Sequence, residues 1–210
     1  MIESFFVWLA SLVTSIISQI GYWGVVALMT IESSFIPFPS EIIVPPAAYL
    51  AQQGQFNIYL VIIAGIAGSL LGALINYYLA RTLGRKIIYA LARKKFSKFL
   101  LINPEKLVKA EKYFLKYGNV STFIGRLVPW ARQLISIPAG FSKMNLKRFI
   151  FYTSLGSGIW VIILAVLGYA FGSNQELLAG YYEEISLFFI ILALIIVIGI
   201  IIKRKIKNEP

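Results

Sequence analysis

The stretch Asn119–Phe141 reads NVSTFIGRLVPWARQLISIPAGF, and its only charges are Arg126 and Arg132. Placing an arginine at the centre of a bilayer costs at least ~2.5–3.5 kcal/mol on the gentlest scale. Two such cations need partners. The acids that lie inside apolar sequence are Glu32 and Glu41, far upstream. The fold must therefore bring distant segments together around buried charge. The surroundings leave little doubt about the solvent: of 210 residues, 59% are hydrophobic, the composition of an integral membrane protein. There is no cysteine and no histidine. That excludes disulfides, thiolate nucleophiles, histidine–metal sites and histidine-dependent phosphatase chemistry. The first apolar stretch lacks a basic leader and a small-residue cleavage site, so no removable signal peptide is expected.

The net charge is +11, and its placement is informative. No Lys or Arg precedes Arg81, a dense basic block runs from Arg81 to Lys116, and Lys143, Lys147 and Arg148 follow. The tail carries Lys203, Arg204, Lys205 and Lys207. Basic residues concentrate on the cytoplasmic side of membrane proteins. Three uncharged stretches can span: Asn57–Ala80, Phe149–Gly172 and Ile185–Ile202. The first runs inward to the basic block, the second outward from Lys147 and Arg148, and the third back to a cytoplasmic C-terminus. Basic proteins also bind nucleic acid, but these charges flank apolar spans, so no nucleic-acid partner is expected.

Asn119–Phe141 has Lys116 before it and Lys143 after it. Both flanks belong on the cytoplasmic face, so the segment enters and leaves on one side. Pro129 removes an N–H and clashes with the preceding turn, which breaks a helix there. The reading is a re-entrant hairpin, with Pro138 helping to close its second arm. Non-helical backbone at membrane depth is tolerated only inside protein or beside a water-filled cavity. The alternative is an amphipathic surface segment.

Gly21–Gln53 looks like a copy. It is apolar, broken by IPFPSE (Ile36–Glu41, with Pro37 and Pro39) and again at Pro45-Pro46. The predicted order is an N-terminal helix (1–20), hairpin (21–53), span (57–80), amphipathic cytoplasmic helices (85–117), hairpin (119–141), span (149–172) and a last span (185–202). Whether residues 1–20 span or lie along the interface stays open. The fold class is all-α, a single membrane domain built as an inverted repeat of re-entrant hairpin plus transmembrane helix. Secondary transporters built this way hold their site near the midplane, between broken helices. The alternative makes Ser4–Ile31 one tilted span and Glu32–Phe56 an outer loop.

Between the halves, apolar residues alternate with basic clusters over Arg85–Tyr117. Asn103-Pro104 opens a helix, and Gly118 is expected to stop it. Such helices lie on the inner leaflet and attract anionic headgroups; a plain cytoplasmic anchor is the blander reading. Gly65, Gly68 and Gly72 on one span, and Gly156, Gly158, Gly168 and Gly172 on the other, fit close helix packing. The same glycine faces suit a homodimer. Asn76 either bonds between helices or lines the site.

If the second hairpin turns at Pro129, Arg126 and Arg132 flank its tip, as Glu32 and Glu41 flank the first. Opposed tips would join two positive and two negative charges. Arginine suits phosphate because its planar guanidinium gives paired hydrogen bonds and stays charged. Burial disfavours an ionised carboxyl and a neighbouring arginine favours it, so the glutamates are candidates for proton coupling or gating. Two readings compete with a functional site. One is a salt-bridge network that merely joins the hairpins, although buried pairs stabilise poorly compared with apolar packing. The other is arginines snorkelling to the interface.

The series Phe123, Arg126, Pro129 and Arg132 resembles the signature of the DedA family, also called the SNARE-associated or VTT domain. Glu32, Pro37, Pro39 and Glu41 are similar to its acidic motif, which often reads Pro-Gly-Asp where this chain has Pro39-Ser40-Glu41. Gly68, Gly72, Asn76-Tyr77 and Gly84-Arg85 resemble the glycine-rich span that follows, with Asn76 where some members carry an acid. The likeness covers roughly Gly21 to Gly172. It implies a multi-pass protein of the bacterial inner membrane that moves lipid, and it carries the family's two acids and two arginines onto Glu32, Glu41, Arg126 and Arg132.

The combined expectation is a flippase for an anionic lipid phosphate, foremost undecaprenyl phosphate. Arg126 and Arg132 bind the substrate, Glu32 and Glu41 gate it or couple it to protons, and no metal or cofactor takes part. Phosphatidylethanolamine, or phospholipid in general, is the alternative substrate; it would place a glutamate on the ammonium. A proton-coupled transporter of a small soluble solute is a second class. A membrane enzyme is a third: two carboxylates suit acid–base work, but nothing resembles an activated nucleophile, and no enzymatic activity is expected.

Overall fold

The computed structural model describes residues 12–34, 40–84, 104–129 and 131–171, with a few single positions between 184 and 195. Pro37, Pro39, residues 1–11, the helices expected over 85–103 and most of the span expected at 185–202 lie outside the described residues. Every regular element among the described residues is helical.

Helix α1 covers residues 12–20, and α2 is Tyr22–Glu32. A 3-10 turn at Ser40–Ile42 leads into α3, Val44–Gln52. Pro45 and Pro46 do not interrupt this unit a second time, as the sequence suggested. They occupy the first positions of α3, where a missing N–H has no intrahelical partner to lose. At 1.5 Å per residue, α2 and α3 are each only about 14–17 Å long. Neither crosses a hydrocarbon core of about 30 Å.

Helix α4, Ile58–Leu79, is long enough. Asn57 caps it, its Oδ1 accepting from the backbone N–H of Tyr59 at 2.9 Å and of Leu60 at 3.4 Å. It ends in a π-helical turn, Ala80–Gly84. Helix α8, Leu146–Phe171, is the second helix long and apolar enough to cross a membrane. It begins three residues before the uncharged stretch read from the sequence. The outward side chains of both helices are apolar: Tyr59, Ile63 and Leu71 on α4, Phe151, Ile162 and Val166 on α8.

Between them runs α5, Pro104–Leu127, unbroken. The sequence placed a stop at Gly118; the helix passes straight through it. A Cβ there would meet the Phe114 ring at 2.9 Å, so the glycine makes room for packing instead of ending the helix. The break comes at Val128-Pro129. Two short helices follow, α6 at Ala131–Leu134 and α7 at Ser136–Phe141. Pro138 lies in the first turn of α7, where it displaces no helical hydrogen bond.

The packing pairs these pieces crosswise. The first arms, α2 and α5, lie against the long helix that follows each of them, α4 and α8 respectively. The second arms cross over: α3 packs on α8, and α7 on α4. Glycines permit each approach. A Cβ at Gly68 or Gly72 of α4 would fall 2.5 Å from the carbonyls of Val26 and Thr30 on α2. At Gly156 of α8 it would meet Arg126 Cβ at 2.6 Å. Gly168 sits against the Pro45 backbone of α3, and Gly140 of α7 against the Tyr77 carbonyl of α4. These glycines serve contacts within the chain.

Two apolar clusters result. One gathers Val13, Ile17, Val25, Val44, Val61 and Leu164. The other gathers Ala73, Tyr77, Phe114, Ala139 and Phe149. On α4 they are separated by residues 65–72, and on α8 the polar residues Thr153 and Ser157 fall between Phe149 and Trp160.

Candidate functional site

All four predicted charges converge in that gap. Glu32 ends α2, Glu41 lies in the 3-10 turn, Arg126 is in the last turn of α5, and Arg132 is in α6. Each therefore sits where a helix stops, and the breaks are what turn the side chains inward. Glu32 and Arg126 are each 2% exposed and Arg132 7%. Glu41 is half-buried.

The two arginines are held differently. Arg132 pairs with both acids: its Nη2 is 3.0 Å from Glu32 Oε1 and 3.4 Å from Glu41 Oε2. The contact with Glu41 is an aligned hydrogen bond. The shorter contact with Glu32 is an ion pair without hydrogen-bond alignment, since Glu32 Oε1 accepts from no donor. Glu32 Oε2 takes the Ser33 hydroxyl at 2.6 Å. Arg126 makes no ion pair among the described residues; its Nη2 donates to Ser136 Oγ at 2.6 Å. The Nε atoms of both arginines are buried without an acceptor. Unsatisfied buried donors of this kind are rare and point to strain, function or a missing ligand.

Asn76, from α4, ties the two breaks together. Its Nδ2 donates to the Ser33 carbonyl at 3.2 Å and to the Gln133 carbonyl at 3.5 Å. It thus bonds between elements and does not line the cavity. Pro129 sits in the break between α5 and α6.

A cavity of about 10 Å³, room for about one water, lies at the centre. Glu32, Ser33, Arg126 and Arg132 line it, with Ser69 of α4 and Ser157 and Trp160 of α8. Ser69 is at the middle of Ile58–Leu79 and Ser157 at the middle of Leu146–Phe171. The charges therefore stand at mid-height of the two helices able to cross a membrane. Sequence reasoning missed the residues that dress them: Ser33, Ser40, Ser136 and Trp160. Hydroxyls at the helix breaks were the available signal, in the PSE and SIP triplets beside the prolines.

The VTT domain profile matches residues 38–170. A protein of Lactococcus lactis named alkaline phosphatase-like protein is 40% identical, over 95% of this chain and 94% of its own length. Undecaprenyl phosphate transporter A of Staphylococcus aureus is 31% identical, over 92% of this chain and 97% of its own length. Protein DedA of Escherichia coli is 23% identical over 75% of this chain and 73% of its own length. No solved structure matches. Two helices long and apolar enough to cross a membrane, charge buried at the breaks between the others, and relatives of this family together define a membrane protein of transporter type. The chain belongs to the VTT-domain, or DedA, family of membrane proteins.

Proposed function

We propose that this protein is a translocase for an anionic lipid phosphate in a bacterial inner membrane, with undecaprenyl phosphate as its substrate. The observation that carries the reading is the placement of Arg126 and Arg132 beside a cavity at mid-height of α4 and α8. The two broken-helix units are re-entrant hairpins, and the crosswise packing of their arms supports an inverted repeat. The basic tail from Lys203 to Lys207 fits a cytoplasmic C-terminus. The names of the two undecaprenyl phosphate transporters among the relatives support the substrate.

In the site two arginines stand beside two glutamates. An incoming phosphate takes guanidinium hydrogen bonds now given to Glu41 and Ser136. It also adds negative charge, which proton uptake at Glu32 or Glu41 would offset. This gives a physical basis for proton coupling. The polyprenyl tail stays in lipid, so only the headgroup needs a polar path. Phosphatidylethanolamine suits the site less well, because its ammonium wants a carboxylate and both are engaged by Arg132. The relative named for alkaline phosphatase keeps an enzyme in view, but this sequence has no histidine or cysteine to serve one. We infer a transporter and no enzymatic activity.

The test is movement of labelled undecaprenyl phosphate across proteoliposomes, with and without a proton gradient, alongside an assay for released phosphate. Wild type should translocate and release none. Arg126→Ala should lower the rate by about a hundredfold or more, the range expected when a preorganised charge on a phosphate is removed. Wild-type liposomes that leave the lipid in place, with or without the gradient, would overturn the substrate.

A further inference from the structure

One residue of the cavity wall touches both halves of the site. Trp160 is 3% exposed, in the middle of α8. Its indole Nε1 donates to Ser40 Oγ at 3.2 Å. Ser40 is fully buried and opens the 3-10 turn whose next residue is Glu41. The face of the same ring lies 5.3 Å from Arg132 Cζ, within the range of a cation–π contact. The ring also lines the central cavity. One side chain therefore grips the turn that carries Glu41 and the guanidinium that Glu41 engages.

We propose that Trp160 is a positioning residue that latches the closed arrangement of the site. It acts through Ser40 and Arg132, holding the acidic turn of the first unit against the basic break of the second. A cavity with room for about one water is too small for a phosphate group, so the site must widen before a headgroup enters, and the bond from Trp160, which lines the cavity, to Ser40 assigns that movement to the turn. The Trp160–Ser40 hydrogen bond is what opens, and Glu41 leaves with the turn. The meaning of this latch for transport rests on the lipid-phosphate reading; its existence as a closure does not.

The absence of native cysteine allows a direct test. Ser69→Cys places one thiol on the cavity wall, and Ser69 is 3% exposed. Its reaction with N-ethylmaleimide in nanodiscs then reports how often the site opens. Trp160→Phe keeps a smaller aromatic face and loses the N–H. Ser40→Ala removes the same bond from the other side and leaves the ring untouched, which guards against a mere folding defect. Each should raise the labelling rate about twofold to tenfold, the shift expected for losing one hydrogen bond from a closed state. The double variant should label no faster than either single one, because both remove one interaction. Unchanged rates in both single variants, or effects that multiply in the double, would overturn the latch. Adding undecaprenyl phosphate separates the two readings: the concentration that half-protects the thiol should fall by the same factor in Trp160→Phe. If the lipid protects no variant, wild-type background included, the lipid-phosphate reading fails, while the rates without lipid still decide the latch.

Discussion

The two broken-helix units do the same job with opposite charge, and they are not equally self-sufficient. The first, α2 to α3, carries Glu32 and Glu41, and both reach out of the unit to Arg132. The second, α5 to α7, carries Arg126 and Arg132, and keeps Arg126 for itself through Ser136. The units are thus joined by one arginine, while the other is held locally, and both keep a buried Nε without an acceptor. The ion pairing that joins the units falls to one of two residues of the same type, six positions apart. A pair of equivalent phosphate clamps would not look like this.

Substituting each arginine tests that division most severely. Arg132→Ala leaves Glu32 buried without its counter-charge, and breaking a buried pair in this way costs about 3–5 kcal/mol. Arg126→Ala removes a cation that makes no ion pair among the described residues and takes the hydrogen-bond donor from the Ser136 hydroxyl, a loss of about 1–3 kcal/mol. Unfolding midpoints in a mild detergent should therefore fall much further for Arg132→Ala, although both variants lose transport. Equal falls would break the comparison.

A smaller effect is expected where the first unit crosses onto α8. Gly168→Val drives a branched side chain into the Pro45 backbone, and overpacking of this sort costs about 1–3 kcal/mol. A destabilised variant that still pairs Glu41 with Arg132 in a crosslinking assay would show that the charges, and not the glycine contact, hold α3 in place. The smallest effect belongs to Asn76→Ala, which removes two long hydrogen bonds from one amide to both breaks. Interhelical hydrogen bonds in membranes average about 0.6 kcal/mol. A loss above ~2 kcal/mol would mean that the breaks are joined by Asn76 as much as by Arg132.

Much of the architecture is legible in the residues, and the misses share a cause. Uncharged stretches of sufficient length mark α4 and α8, because a bilayer leaves few other ways to satisfy a backbone. The helix interruption at Pro129 follows from a missing N–H. That the buried charges would have to meet follows from the expense of isolating them. What the sequence could not express is context. Gly118 reads as a stop when only local propensity is weighed, yet the Phe114 ring beside it makes it a packing position, and tertiary contact overrides propensity. Pro45-Pro46 breaks a helix in its interior and begins one at its first turn, so the pair is ambiguous until the boundary is known. Trp160 resembles any other aromatic in an apolar span until Ser40 and Arg132 are seen against it. The choice of Arg132 over Arg126 as partner for the acids depends on where two distant chain breaks come to rest.

The unbroken run of α5 has a mechanical consequence. Its 24 residues make a rod of about 36 Å, with Arg126 close to one end and Pro104 at the other. With no joint at Gly118, the rod transmits a tilt: displacement at the Pro104 end becomes displacement of the guanidinium, reversed and scaled by the position of the pivot. A Cβ at Gly156 would meet Arg126 Cβ at 2.6 Å, so a pivot at this close approach would lie against α8, near the charge. Large excursions at the far end would then be geared down to small ones at the site.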